Sequence, residues 1–341
     1  MNPRDYTDLL RQLQVKLSTQ DLGEYGVIPI EKADNFIDLM VDESTLLKAV
    51  HREVVDNRAG EFYYFDLPGP VIAKGANEGQ EPAGGWSDTG EITIGKAFEF
   101  SCKKLRTHFA LTWEAINWNL TGPEFEDFLV RRWTQAMRRD LEILAIQGDT
   151  TLTGDQLRSI DDGWLKLIEE AHTGNLAGHT INWVDDDGNP KPVDHTLFQI
   201  AYKVFITDPV ARMLAGNPVW IANPIVYAEL MHYLSDRADA LGAAALMGAA
   251  NLRPDGIEFL NGAKGVPYFP VEAQGGNLVT KMLLGDPSQL WFIVHREFRL
   301  EMVRNPKVDA WEWYGHAYVD FIVPFPRAFI LVKNIKVGSA S

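Results

Sequence analysis

The feature that most constrains the fold is the stretch from residue 123 to 147, which has the pattern of a single long amphipathic helix. Its apolar residues recur at spacings of three and four, which keeps one face of a helix against a core. At ~1.5 Å per residue such a helix is about 37 Å long. The rest of the chain is therefore expected to pack along it. The apolar positions are Phe125, Phe128, Leu129, Trp133, Ala136, Met137, Leu141, Leu144 and Ala145.

Both ends of this helix carry signals. Pro123 suits a first helical position, and the acids Glu124, Glu126 and Asp127 suit the positive end of the helix dipole. Gly148 is expected to end the helix, because glycine readily adopts the left-handed backbone found at helix C-termini.

The polar face of the helix has two interpretations. It can contact acidic groups on a neighbouring molecule or an enclosed polyanion, with Arg131 and Arg138 as candidate contacts. It can also be a solvated stripe, stabilised by pairs such as Asp127 with Arg131 that contribute a few tenths of a kcal/mol each. The face comprises Glu126, Asp127, Arg131, Arg132, Gln135, Arg138, Arg139 and Glu142.

Composition limits the function. The 341 residues are 46% apolar, enough for one large or two ordinary domains. A net charge of -15 argues against a surface that grips nucleic acid, because phosphate binding needs excess Lys and Arg. The lone Cys102 excludes an internal disulfide and fits a reducing cytoplasm, most simply as a buried thiol. No secretion signal and no membrane span are predicted.

The chain before the helix consists of an arm and a hairpin. Residues 1–56 alternate apolar patches with polar gaps and are expected to form an arm that leans on another surface. Residues 57–96 contain two extended runs around a turn-rich, polar and glycine-rich tip, so they predict a long hairpin. A two-stranded hairpin is marginal alone and needs a surface, in the same chain or in a neighbour.

The chain after the helix mixes helices and strands. The polar segment 148–161 is a predicted boundary, and helices are predicted over 164–171, 195–214 and 224–234. Strands are predicted over 218–222, 290–294, 298–303, 317–323 and 328–332, with a loop from Arg304 to Ala310. The fold class is α+β, without repeats.

Active-site motifs are missing from the sequence. There is no phosphate-binding Gly-rich loop, Gly-x-Ser-x-Gly elbow or His-Glu-x-x-His pair, and the eight histidines lack metal-ligand spacing. The run Asp185-Asp-Asp-Gly188 has the wrong spacing for a calcium loop and favours a turn. We therefore predict no catalytic residue, cofactor or metal. Trp86, Trp311 and Trp313 suit interface anchoring and local core packing equally well.

The order of these parts resembles the major capsid protein of tailed bacteriophages with the Hong Kong 97 type fold, from about residue 25 to 336. Short segments support the resemblance in their order and spacing. They are Glu78–Gly85 followed by Glu91-Ile-Thr-Ile94, Ala145-Ile-Gln-Gly-Asp149, Pro218-Val-Trp-Ile-Ala-Asn-Pro224, Gly265-Val-Pro-Tyr-Phe-Pro270, Leu284-Gly-Asp286 and Ala328-Phe-Ile-Leu-Val-Lys333.

The resemblance implies a domain layout. It places an N-terminal arm at 1–56, an extended loop at 57–96, a peripheral domain at 97–154 and 296–341 with the spine helix 123–147, and an axial domain at 155–295. The extended loop is then expected to cross an adjacent subunit, with Gln80, Glu81, Pro82 and Trp86 as candidate contacts. Arg304 and Lys307 are candidate contacts between capsomers.

The resemblance also implies a function and partners. The chain is expected to form homo-pentamers and homo-hexamers of an icosahedral phage head around double-stranded DNA, assembled in the host bacterial cytoplasm. A portal protein is a further expected partner, and a decoration protein is left open. The chain has no room for an N-terminal scaffolding domain, so a separate scaffolding protein is expected. In the cross-linking branch of this family, a lysine of the extended loop joins an asparagine of another subunit. Here Glu81 stands before the loop proline and residues 311–320 contain no asparagine, so covalent cross-linking is not expected.

Two other classes of protein remain. An encapsulin-type compartment would enclose cargo enzymes in a shell of the same fold. A hydrolase built on scattered Asp and His residues would be a small oligomer with turnover. Shell formation separates the hydrolase from the first two classes, and enclosed nucleic acid versus protein cargo separates those two.

Overall fold

A computed structural model of the chain describes residues 44–66, 93–112, 124–236, 253–296 and 299–339. Its helices are α1 (Glu124–Gln147), α2 (Trp164–Ala171), α3 (His195–Thr207), α4 (Pro209–Leu214) and α5 (Pro224–Ser235). Its strands are β1 (His51–Val55), β2 (Ala59–Asp66), β3 (Thr93–Ser101), β4 (Lys103–Thr112), β5 (Thr180–Asn182), β6 (Lys191–Pro192), β7 (Val219–Ala222), β8 (Val271–Gln274), β9 (Asn277–Gly285), β10 (Trp291–His295), β11 (Arg299–Asn305), β12 (Ala310–Ile322) and β13 (Ile330–Ser339).

The first sheet has the strand order β1-β10-β12-β11, with β4 on the other edge of β12. Helix α1 lies against this sheet, where the indole Nε1 of Trp133 donates to Thr107 Oγ1 on β4 at 3.1 Å. Phe292 and Phe321 stack in the core with ring centroids 5.5 Å apart. The predicted long helix is confirmed, and it braces this sheet.

The second sheet has the order β5-β13-β9-β7, with β6 pairing β13 and β8 pairing β9. Successive side chains of β13 point into two different cores, one on each face of the sheet. Leu331 joins the core shared with α1 and α2, while Ile330 and Val332 join the core under α3, α4 and α5. A strand buried on both faces explains the unbroken apolar run in the sequence from residue 328 to 332.

Strands β2 and β3 form a separate two-stranded sheet in which Ala59 pairs with Ser101 and Asp66 with Thr93. Its root packs on the first sheet, because Phe100 is buried with Val55, Cys102 and Ile293. This chain therefore supplies the surface for the root of the predicted hairpin. The part of the hairpin between residues 66 and 93 lies outside the described residues.

The predicted helix 195–214 is wrong as a single element. It divides at Asp208 into α3 and α4, because a residue before proline is disfavoured in the helical region. Asp208 has φ -87° and ψ 109°, and its carboxylate caps α4 by accepting from the backbone N–H of Val210.

The predicted loop 304–310 is shorter than expected. β11 continues to Asn305 and β12 begins at Ala310, so only residues 306–309 form the turn. The sheets also cross the predicted domain limits. β10 falls in the predicted axial domain but pairs in the first sheet, and β13 falls in the predicted peripheral domain but pairs in the second sheet. The division into domains itself stays a prediction.

Gly148 ends α1 for a reason other than the one predicted. It is not among the residues with positive φ. A Cβ on Gly148 would lie 2.6 Å from the Leu144 carbonyl oxygen and 2.8 Å from the Gly163 backbone nitrogen, and it would also meet the Asp161 carbonyl. Glycine is needed here because the two chain segments approach closely.

Candidate assembly interface

The eight predicted contact residues fall in three places. Gln80, Glu81, Pro82 and Trp86 lie outside the described residues. Arg131 and Arg138 lie on α1, seven residues apart and so on similar sides of the helix. Arg304 and Lys307 lie at the β11–β12 hairpin. Arg131 and Arg138 therefore share one helix, and Arg304 and Lys307 share one hairpin.

The β11–β12 hairpin ends in a tip, residues 303–310, that is held by its own side chains. Asn305 Nδ2 donates to Glu312 Oε1 at 2.9 Å, and Asn305 Oδ1 accepts from the backbone N–H of Lys307 at 3.1 Å. Val303 and Val308 are 49% and 57% exposed, and Lys307 is exposed between them. An ordered tip that presents valines and a cation to solvent is suited to contact another protein surface.

The polar face of α1 is not uniformly wet, which corrects the expectation for Glu142. This residue is 1% exposed and lies beneath residues 44–47. Its Oε1 accepts from Thr45 Oγ1 at 2.7 Å and from the backbone N–H of Leu46 at 3.2 Å. Burial raises the pKa of Glu142, and the charge of half-buried Arg138 opposes that shift. Arg138 thus acts on a carboxyl group inside the chain.

A second surface, which sequence reasoning missed, is the face of β4 remote from α1. Lys104, Arg106 and His108 are exposed there, and we call these three residues the basic face. The ring of Tyr318 lies below, with Arg58 Cζ at 4.1 Å and Lys104 Nζ at 5.9 Å from its centroid. His108 Nε2 lies 4.0 Å from Glu312 Oε2 of the same chain, so Lys104 and Arg106 are the cations that suit acidic groups of a partner.

The signal for this basic face was present in the sequence. Lys104, Arg106 and His108 stand at every second position of the sequence, and every second side chain of a strand points the same way. Leu105 packs on the core, and Phe109 lies 4.9 Å from Trp133 between ring centroids. Phe109 also stacks on Trp313 at 4.4 Å, so Trp313 is part of the local packing.

The connection after α1 carries a cluster of charges around Lys166. Its Nζ lies 2.7 Å from Asp149 Oδ1 and 2.8 Å from Asp162 Oδ1. The hydrogen bond from Lys166 and two from Thr151 lower the pKa of Asp149 to about 2. Asp149 is the acid of the Gly-Asp pair that ends the helix, and this geometry gives it a structural role.

His172 and His179 come together, with ring centroids 5.7 Å apart. His172 Nε2 lies 2.9 Å from the Pro326 carbonyl oxygen, and its Nδ1 lies 3.2 Å from Thr180 Oγ1. His179 Nε2 lies 3.0 Å from Asp208 Oδ2, which also accepts from Arg327 Nε at 2.6 Å. These contacts tie α4 to the connection between the two sheets.

The residue types that bind metals are dispersed, or serve local structure, in the described part of the chain. Within those ranges, no three His, Cys, Asp or Glu side chains are placed to hold a metal ion. Asp185 Oδ1 accepts from the backbone N–H groups of Asp187 and Asn189, so this acid forms the predicted turn. Burial, with Asp320 and Asp161 nearby, raises the pKa of the Cys102 thiol to about 12, as suits the predicted buried thiol. In the same ranges, every helix is too short or too polar to cross a bilayer.

Capsid-shell proteins have similar structures. One is a chain of the satellite phage P4 procapsid that includes the size determination protein, with a TM-score of 0.59, 16% identity, and coverage of 89% of this chain and 99% of that chain. Another, from the capsid of the native GTA particle, has a TM-score of 0.54, 14% identity, and coverage of 85% and 90%. The fold is of the Hong Kong 97 capsid type.

The same Hong Kong 97 type fold includes a compartment protein. The holo-SrpI encapsulin of Synechococcus elongatus PCC 7942 has a TM-score of 0.50, 13% identity, and coverage of 87% of this chain and 89% of that chain. Identities this low show a common fold alone. A scan against protein-family models finds no match, and a search of curated proteins finds none either.

Proposed function

We propose that this chain is the major capsid protein of a tailed bacteriophage, which assembles as homo-pentamers and homo-hexamers into an icosahedral head around double-stranded DNA. The observation that carries the proposal is the match to 99% of the P4 procapsid chain at a TM-score of 0.59. A shell subunit acts through its edges and protrusions, so a fold shared over its whole length is the relevant likeness.

The exposed surfaces support this role. The tip at residues 303–310 presents Val303, Lys307 and Val308, and the basic face offers cations in a chain whose net charge is -15. Unlike charges on separate surfaces of one subunit favour contacts between copies. The same net negative charge suits a wall that encloses DNA without gripping it, since packaged phosphates are neutralised by small cations.

The residues predicted from the sequence take assembly roles in this proposal. Gln80, Glu81, Pro82 and Trp86 lie on the extended loop, which crosses an adjacent subunit. Arg131 and Arg138 are the candidate contacts with neighbours along the spine helix, and Arg304 and Lys307 are the candidate contacts between capsomers. The peripheral domain (97–154 and 296–341) and the axial domain (155–295) carry these surfaces, and the arm (1–56) leans on them.

Further partners follow from the assembly of a phage head. A separate scaffolding protein templates the shell, a portal protein occupies one vertex, and a decoration protein is an optional addition. The chain has a structural and non-enzymatic role, first in the host bacterial cytoplasm and then in the virion.

An encapsulin-type shell around cargo enzymes is the second candidate, favoured by the match to 89% of the SrpI encapsulin chain. The two candidates differ in what the shell encloses. Shells from infected or lysogenic cells hold nuclease-protected DNA in the first case and a defined protein cargo in the second.

Negative-stain electron microscopy tests the proposal. The chain is purified alone and with the product of a neighbouring candidate scaffold gene. Closed shells tens of nanometres across are expected in at least one preparation, and their diameter bounds the copy number. Monomers or small oligomers in both preparations would overturn the proposal. The similarity to capsid proteins would then be a similarity of fold without a shared function.

A further inference from the structure

Two buried carboxyl groups, Asp161 and Asp320, meet where the β2–β3 hairpin joins the first sheet. They are 6% and 7% exposed and are hydrogen-bonded to each other. Asp320 lies on β12, and Asp161 lies on the connection between α1 and α2. Two carboxylates cannot form such a bond, because neither has a hydrogen to donate.

The surrounding donors identify which group holds the proton. Asp320 Oδ2 accepts from the backbone N–H of Ser101 at 2.6 Å, and Asp320 Oδ1 accepts from the backbone N–H of Phe321 at 2.8 Å. Asp161 Oδ2 is fully buried and finds no donor among the described residues. Two backbone N–H donors stabilise the anion at Asp320, whereas one, that of Asp162, acts on Asp161, so the proton resides on Asp161.

Other charged and titratable groups lie around the pair. The exposed ammonium of Lys103 on β4 favours the anions of the pair, and the thiol of Cys102 is buried beside it. Asp162, next in sequence, accepts instead from Lys166 and Thr150. Burial and the adjacent Asp320 raise the pKa of Asp161 to about 7.

The pair joins three parts of the fold. Ser101 is the last residue of β3, and Cys102 turns the chain into β4 with its N–H donating to the Arg58 carbonyl oxygen at 2.8 Å. The Ser101 N–H is held by Asp320 on β12, and Asp320 is held by Asp161 beyond the end of α1. The hairpin root is therefore bonded to the sheet and to the helix connection through one shared proton.

We propose that the Asp161–Asp320 pair is a proton-controlled latch, which holds the hairpin root closed while one proton is shared and loosens it when that proton is lost. Loss of the proton leaves two buried anions in contact, and they repel each other. The corner at Ser101–Cys102 then opens, since separation of the two anions breaks the bond to the Ser101 N–H. The latch operates in the single chain and does not depend on the proposed function.

The pH window follows from linkage. In the opened corner Asp161 is solvated and has an ordinary pKa of about 3.9, whereas in the closed corner its pKa is about 7. Between these values the closed form binds more protons, so its stability is complete at low pH and declines as pH rises. The opening constant is expected to rise about tenfold per pH unit across this window and to level off above it.

Hydrogen exchange at the Ser101 and Cys102 amides measures the latch in the full-length chain. After correction for intrinsic exchange, opening in the wild type is expected to rise at least tenfold from pH 5 to pH 7. Asp161→Asn keeps the shape of the side chain and donates an N–H to Asp320 at every pH. Its opening constant is expected to be independent of pH over the same range.

Infrared spectroscopy gives a second test, which does not depend on measuring amide hydrogen exchange in the variant. A buried carboxylic acid band is expected in the difference spectrum of wild type minus Asp161→Asn at pH 6. Any acid band of Glu142, which is also buried with a raised pKa, is common to both proteins and cancels. Equal pH dependence of opening in wild type and Asp161→Asn would overturn the proposal. Absence of any acid band in the wild type would do so even if the variant failed to fold.

Discussion

At the scale of single residues, Gly148 occupies a place where a side chain has no room. Its N–H donates to the Leu144 carbonyl oxygen at 2.8 Å, and its own carbonyl accepts from the Gly163 N–H at 2.9 Å. Gly163 is equally close to Gly148, because a Cβ added at Gly163 would lie 2.6 Å from the Gly148 backbone nitrogen. The end of α1 and the start of α2 meet backbone to backbone.

Gly148→Ala is therefore expected to lower the free energy of unfolding by about 1–3 kcal/mol, because backbone atoms must move to admit the methyl group. Denaturant unfolding followed by tryptophan fluorescence measures it. Gly178→Ala is the matched control, since a Cβ there meets nothing within 4 Å. Equal effects of the two substitutions would contradict the close approach.

His172 is expected to make the stability of the chain depend on pH. Burial lowers the pKa of His172 below its ordinary value of about 6.5. Below that value the unfolded chain takes up a proton that the folded chain resists, so stability is present above about pH 6.5 and declines as the pH falls.

The measurement is thermal unfolding between pH 5 and pH 7.5 in the wild type and in His172→Gln. Glutamine can still donate to the Pro326 carbonyl and accept from Thr180, but it does not titrate. The variant is expected to lose part of the decline on the acid side. An unchanged slope would assign the decline to other groups.

At the scale of elements, the proposed function assigns the β11–β12 tip and the extended loop to contacts between subunits. Lys307→Glu changes an exposed turn residue, so monomer stability is expected to shift by no more than about 0.5 kcal/mol. Shell yield, measured by sedimentation and electron microscopy, is expected to fall. An unchanged yield would remove the tip from the proposed contacts.

Deletion of residues 80–85 tests the extended loop. If that segment crosses an adjacent subunit, the thermal stability of assembled shells falls by more than that of the isolated subunit. Calorimetry of both states makes the comparison. Equal losses in the two states would indicate that the segment serves the fold of its own chain.

The sequence predicted elements well where a pattern is local and long. The 3.6-residue period of α1 and the Asn223-Pro224 start of α5 were sufficient to place both helices. The predicted helix 195–214 failed because one Asp-Pro step interrupts an otherwise continuous apolar period. The tip was misplaced because strand ends are set by pairing with β12, which is a long-range contact.

At the scale of the whole molecule, net charge sets how copies of the chain meet. Subunits that each carry a formal charge of -15 repel one another, and salt screens that repulsion. Shell formation is therefore expected to be more favourable at 0.5 M than at 0.05 M sodium chloride, as measured by light scattering. Weaker assembly at high salt would show instead that contacts such as those of the basic face dominate.

The sequence by itself determined the fold class, the long helix and the order of parts that resembles a Hong Kong 97 type shell protein. These depend on local periodicity, on turn residues and on their succession along the chain. Only the tertiary structure decided that Glu142 is buried, that His172 meets His179, that Gly148 must lack a side chain, and that Asp161 faces Asp320. Each of these depends on which distant segments touch, and a local pattern carries no information about such contacts.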